Sequence, residues 1–211
     1  MLDLLIPELN KTIIMVFFST IFSVILGFIL AIVSIITAPN GLKPNKITYK
    51  VLDTIINILR GFPFLILMVA IMPITKLLVG RSIGTTAAIV PLTIAAAPFV
   101  ARVIESALKE VDPGVIEAAK SFGASNTQII FKVMLKEAVP AITSGLTLTV
   151  ISIIGYSAMA GTVGAGGLGD LAVRYGYQRY QTDVMIVTVV ILIIIVQALQ
   201  TLGNYLYKKL S

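Results

Sequence analysis

The chain has 211 residues, of which 57% are hydrophobic and only 12% charged, with a formal net charge of +6. Soluble domains carry about 25% charged residues, so half that share points to lipid as the solvent and excludes an ordinary water-soluble domain. Cys and His are both absent, which removes disulfides, thiolate nucleophiles, the usual zinc motifs, Ser-His-Asp triads and histidine proton relays together.

The charges are unevenly placed. No Asp, Glu, Lys or Arg occurs in residues 12–42, 61–75, 82–101, 138–169 or 184–207. A span needs about 20 apolar residues, and four of these windows supply them. The expectation is an all-α integral membrane protein, one domain over residues 1–211 with five transmembrane helices. The spans fall at about 12–38, 51–73, 82–101, 138–162 and 184–207. A sixth would need residues 102–137, whose ten charges forbid it.

The segment "MLDLLIPELNK" carries two acids before its first Lys. It lacks the basic start of a cleaved signal peptide, so the first span is expected to be retained. The second window is short. It reaches span length by extending back through residues 51–59, with Asp53 and Arg60 near the headgroups, where long cations can snorkel. In the third, "GTTAAIVPLTIAAAPFVA" (84–101), ten of eighteen residues are Gly, Ala or Thr. Small residues let helix backbones approach closely in lipid, which places this helix inside the bundle, with a kink expected at Pro98.

Residues 102–137 read as a cytoplasmic hairpin. "RVIESALKEV" (102–111) puts Val103, Ile104, Ala107, Leu108 and Val111 on one stripe and pairs Glu105 with Lys109 at i,i+4, as an extension of the third helix. Asp112 is a good N-cap and Pro113 suits the first helical position. That short helix runs to about Phe122 and stops at Gly123. Ser125 and Gln128 form a capping box that opens a second helix. The plain alternative is an inert inner loop.

Along the fourth span, Ala141, Gly145, Thr149, Ser152, Tyr156 and Met159 recur at helical spacing and share a face. Gly145 and Thr149 suit helix packing. Ser152, Tyr156 and Met159 are the candidates for a pathway wall, with Met159 as an apolar constriction able to close by dewetting.

Next comes "GTVGAGGLGD" (161–170), which contains the dinucleotide spacing G-x-G-x-x-G at Gly164, Gly166 and Gly169. Here the glycines follow an apolar helix instead of a strand, and the next acid that could hold a ribose, Asp183, stands 14 residues after Gly169 where about 20 is usual. Ending the helix and allowing close backbone packing is the better reading. No G-x-x-x-x-G-K-[ST] occurs either, so any ATP must be bound by a partner. The last span, "VMIVTVVILIIIV" (184–196) at its core, is bulky and β-branched, as a lipid-facing surface requires. Toward its end Gln197, Gln200 and Asn204 share a face suited to interhelical hydrogen bonds.

Five spans put the termini on opposite sides. With the N-terminus outside, Lys43, Lys46, Lys50, Arg60, Arg102, Lys109, Lys120, Lys132, Lys136, Lys208 and Lys209 are cytoplasmic, while Lys11, Lys76, Arg81, Arg174 and Arg179 are not. Eleven against five favours N-out and C-in by the positive-inside rule. The basic balance then reflects topology and anionic lipid, and nucleic acid is not an expected partner.

"EAAKSFGASNTQIIFKVML" resembles the E-A-A-x-x-x-G signature of bacterial ATP-binding-cassette importer permeases. "RGFPFLILMVAIMPITKLLVG", "APFVARVIESALKEVDPGVIEAAKSFGAS" and "GYSAMAGTVGAGGLGDLAVRYGYQRY" narrow the resemblance to the methionine-importer permeases. One departure is Lys136, where the family pattern usually has Pro. The resemblance implies the five-helix permease core of type I importers in the bacterial cytoplasmic (inner) membrane. It further implies a homodimer, two separate cassette ATPase subunits that bind the ATP, and an extracytoplasmic methionine-binding lipoprotein. Glu117, Ala118, Ala119 and Gly123 fall on its coupling motif, which docks on the ATPase. No catalytic site, metal or cofactor of the chain's own is implied.

Two other classes stand against this reading. A carrier or channel acting alone is the first, but no ionisable residue lies deep in a span, where a proton- or sodium-coupled carrier generally needs one. An intramembrane enzyme is the second, and no paired carboxylates occur at membrane depth.

Overall fold

The computed structural model describes residues 2–210. Helix α1 (Leu2–Thr37) leads by a short loop to α2 (Lys46–Gly61), α3 (Phe64–Ala70) and α4 (Met72–Val79), then α5 (Thr85–Lys109) and the short α6 (Pro113–Ser121). A single long helix, α7 (Asn126–Ala165), follows. After it come α8 (Leu168–Leu171), π-type turns at Ala172–Tyr177, and α9 (Thr182–Leu210). No strand occurs among the described residues.

Helix α5 is the hub. Within its most apolar window 61% of residues are buried, against 11% for α9, so α5 sits at the centre and α9 at the perimeter. The small residues explain the position. A Cβ on Gly27 of α1 would stand 2.6 Å from the Val100 Cβ and 2.7 Å from the Ala97 carbonyl oxygen, so α1 and α5 pack backbone against backbone. α5 passes through Pro91 and Pro98 as one helix, so the kink expected at Pro98 does not end it. On α9, Ile186, Val189, Val190, Ile193 and Ile194 are exposed in the single chain.

Two expectations need correction, and the first helix is longer than its span. The second span is not one straight helix: α2 and α3 are bent by 108° relative to each other, so among the described residues four helices are long and apolar enough to cross a membrane, and five if this bent pair counts as one. Pro63 is the cause, since it lacks an N–H and drives the residue before it out of helical geometry. Phe62 accordingly stands at φ −77°, ψ 125°. The first helix begins at Leu2, ahead of the span expected at about 12–38, because nothing between them breaks the helical pattern beyond one early proline. The second hairpin helix is not separate but is the start of α7. Its capping box opens the helix and no stop signal follows. The Lys136 N–H, which a proline would lack, stays available to the helical ladder. Near this start, at Ile129–Met134, the bonding slips to the π pattern, with the Leu135 N–H donating to the Ile130 carbonyl.

Candidate functional site

The hairpin that follows α5 is built by local rules. Asp112 Oδ1 accepts from the Gly114 N–H at 2.7 Å, which fixes the start of α6 with Pro113 at its first position. Gly123 takes φ +77°, the left-handed conformation that releases the chain after the helix. The capping box is closed on both sides: the Gln128 N–H donates to Ser125 Oγ at 3.3 Å, and the Ser125 N–H donates to Gln128 Oε1 at 2.8 Å.

None of α6 is fully buried. Ile116 and Ala119 seat it on an apolar floor that includes Leu108, Val111, Ile129 and Met134. The opposite side carries Val115, Glu117 and Ala118, all exposed, and ends in Phe122, which is 93% exposed. Gly123 lies beside it, with nothing within 4 Å of where a Cβ would stand. Thus Glu117, Ala118 and Gly123 share a free surface while Ala119 turns inward. Phe122 belongs to that surface and escaped the sequence reading. The steps 115, 118, 122 opposite 116 and 119 were the signal for it. A crevice of about 550 Å³ opens between α6 and the loop after α1, lined by Asn40, Tyr49, Ile116, Glu117 and Lys120 among others.

At the other end of α7 the proposed face divides. A Cβ on Gly145 would stand 2.2 Å from Val103 Cγ1, and Thr149 is 2% exposed, so both serve packing against neighbouring helices. Tyr156 stacks on Phe64 with ring centroids 4.9 Å apart and planes 14° from parallel. Ser152 is half-buried and donates to the Leu148 carbonyl at 2.9 Å. Met159 is open. The face of α7 that the chain leaves uncovered runs through Ser144, Leu148, Gly155, Met159 and Thr162, about one residue out of phase with the sequence-read stripe. On α9, Gln200 donates to Asn204 at 3.2 Å along the helix rather than across to another.

The glycine motif is held by α1. Glu8, 8% exposed, accepts from the Gly167 N–H at 2.6 Å and from Lys11 Nζ at 2.7 Å. Thr12 Oγ1 accepts from the Leu168 N–H at 2.8 Å. The two contacts to Gly167 and Leu168 join residues more than 150 positions apart in sequence, beyond any spacing rule. Gly167, at φ +89°, leaves no room for a side chain, since a Cβ would stand 2.7 Å from Thr12 Oγ1.

Known proteins agree with this architecture. Residues 23–211 match the family model of the binding-protein-dependent transport system inner membrane component. The chain is 51% identical over 207 residues to the probable D-methionine transport system permease protein MetI of Vibrio cholerae, covering 98% of this chain and 92% of that one. It is 47% identical over 169 residues to the methionine import system permease protein MetP of Bacillus subtilis, covering 80% and 76%. A solved structure of inward-facing conformations of the MetNI methionine ABC transporter superposes with a TM-score of 0.97 at 42% identity, over 100% of this chain and 98% of that one. By sequence and by fold, then, this chain belongs to the inner-membrane permeases of ATP-binding-cassette importers, in their methionine-importer family.

Proposed function

We propose that two copies of this chain form the pathway by which methionine enters a bacterial cell across the cytoplasmic membrane. The termini lie N-out and C-in, which puts α6 in the cytoplasm. A cassette ATPase docks on each α6 through Val115, Glu117, Ala118, Phe122 and Gly123, and an extracytoplasmic methionine-binding lipoprotein delivers the substrate. The observation that carries the reading is α6 itself. It is capped at both ends and seated from below, yet its outer surface is bare. A lever needs those three properties, and an inert loop needs none of them.

The chain has no phosphate-binding loop, so ATP is bound and hydrolysed by the partner, and the permease performs no catalysis of its own. ATP binding draws the two ATPases together and moves the docked helices, which opens the pathway outward. Hydrolysis returns it inward. Reconstituted with its ATPase and binding protein, the chain is expected to import labelled methionine only with ATP present. Uphill accumulation in vesicles holding this polypeptide alone would establish a self-sufficient carrier instead.

Ser152, Tyr156 and Met159 line the pathway near its outer end, with Met159 at the constriction. Its 46% exposure in the single chain supports this, because two such side chains facing one another make a soft apolar plug. A Met159→Cys complex is expected to react with a charged thiol reagent in the ATP-bound state and to resist it without nucleotide. Resistance in every nucleotide state would remove Met159 from the pathway.

A further inference from the structure

Helix α2 is poorly held by apolar contact. Ile56 is its one buried residue, while Ile47, Val51, Ile55 and Ile58 are exposed on its outer side. It is nevertheless joined to α5 by a row of polar contacts that runs antiparallel along both helices. At one end Lys109 Nζ lies 5.8 Å from the centre of the Tyr49 ring. In the middle Arg102 donates to Asp53, and to Asn57 Oδ1 at 2.9 Å. At the other end the Arg60 guanidinium lies 5.8 Å from the Phe99 ring centre. Residues 49, 53, 57 and 60 follow one another at steps of four, four and three, so they form a single stripe on α2.

The row is anchored from within α5. Glu105 is 2% exposed and accepts from both Arg102 Nη1 and Lys109 Nζ at 2.7 Å. Two cations and two carboxylates therefore balance, and the buried acid fixes the rotamers of the two basic residues that reach α2. Arg102 brings a planar fork to this junction, able to serve Asp53, Asn57 and Glu105 together. Three residues past Lys109 comes Asp112, the cap of α6.

We infer that this polar seam is a mechanical linkage, with Arg102 and Asp53 as positioning residues for transport. Motion imposed on α6 passes along the rigid end of α5, and the seam obliges the inner half of α2 to follow. The bend at Phe62–Pro63 supplies the freedom for that half to move apart from α3 and α4. The inference rests on the docking of α6 proposed above and adds the element that α6 moves.

Asp53 is the residue to change, since its removal leaves Glu105 with both of its cations. In proteoliposomes containing the full complex and the binding protein, Asp53→Lys, which opposes Arg102, is expected to lower methionine imported per ATP hydrolysed by about tenfold. Asp53→Glu restores the wild-type ratio to within about twofold, and ATP hydrolysis itself stays within about twofold throughout. The linkage is overturned if Asp53→Lys keeps the wild-type ratio. It is equally overturned if import and hydrolysis fall in parallel, because that is the mark of a damaged assembly. Failure of the wild-type complex to import at all would instead remove the transport reading on which the linkage stands.

Discussion

A complex carrying Gly123→Asp is expected to assemble normally and to import methionine at least about tenfold more slowly than wild type. The backbone permits the change. Gly123 sits at φ +77° with open space where a Cβ would go, and Asp is among the few residues that tolerate left-handed geometry, at a cost of about 1–2 kcal/mol. Folding of the hairpin therefore survives. What changes is the surface, where a carboxylate now stands beside Phe122 on the face proposed to enter the ATPase. Burying it there without a partner costs several kcal/mol, and about 1.4 kcal/mol already corresponds to a factor of ten in an equilibrium constant. Gly123→Asn makes the control, because it tolerates the same turn and brings no charge. Its import is expected to stay within about threefold of wild type on the same scale. Wild-type import by the Asp variant would show that nothing docks at this position, and equal loss in both variants would assign the effect to the turn.

How far the sequence carried the fold depended on how local each rule was. Asp112, Pro113, Gly123, Ser125 and Gln128 each act within a few residues of themselves, and each stands where its local preference puts it. The central place of α5 was legible for a related reason: a run of Gly, Ala and Thr in an apolar window has close packing as its main use. The break at Pro63 was missed because a window of uncharged residues is blind to backbone geometry, although the proline itself was in view. The join of the second hairpin helix to α7 was missed because a capping box announces a start and says nothing about an end. The π turns at Ile129–Met134 leave no trace in apolar spacing. Least legible were the long-range partners. Glu8 with Gly167, and Asp53 with Arg102, are ordinary residues until the fold brings them together.

Gly169→Ala is the substitution expected to damage the fold itself. A Cβ there would stand 2.3 Å from Ala158 Cα and 2.4 Å from the Ala158 carbonyl oxygen, while one on Gly161 would stand 2.4 Å from the Asp170 N. Two stretches of main chain thus lie directly against each other, the end of α7 on the start of α8. No side chain can rotate away, so the added methyl must push the backbones apart and strain the links from α1 to the same loop through Glu8 and Thr12. Overpacking of this kind costs about 1–3 kcal/mol where some relaxation is possible, and the rigid contact here puts the loss at the upper end. Thermal unfolding of the detergent-extracted complex is expected to shift down by several degrees, roughly 2–4 °C per kcal/mol for a chain of this size. Gly61→Ala serves as the reference, since no atom lies within 4 Å of its Cβ position, and it is expected to stay within about 0.5 kcal/mol of wild type. If Gly169→Ala unfolds with the wild type, the close contact between α7 and α8 does not exist in the membrane. The glycines of the G-x-G-x-x-G spacing would then need another occupation. If it unfolds early, their spacing is accounted for by one helix turning back against another, with no nucleotide in between.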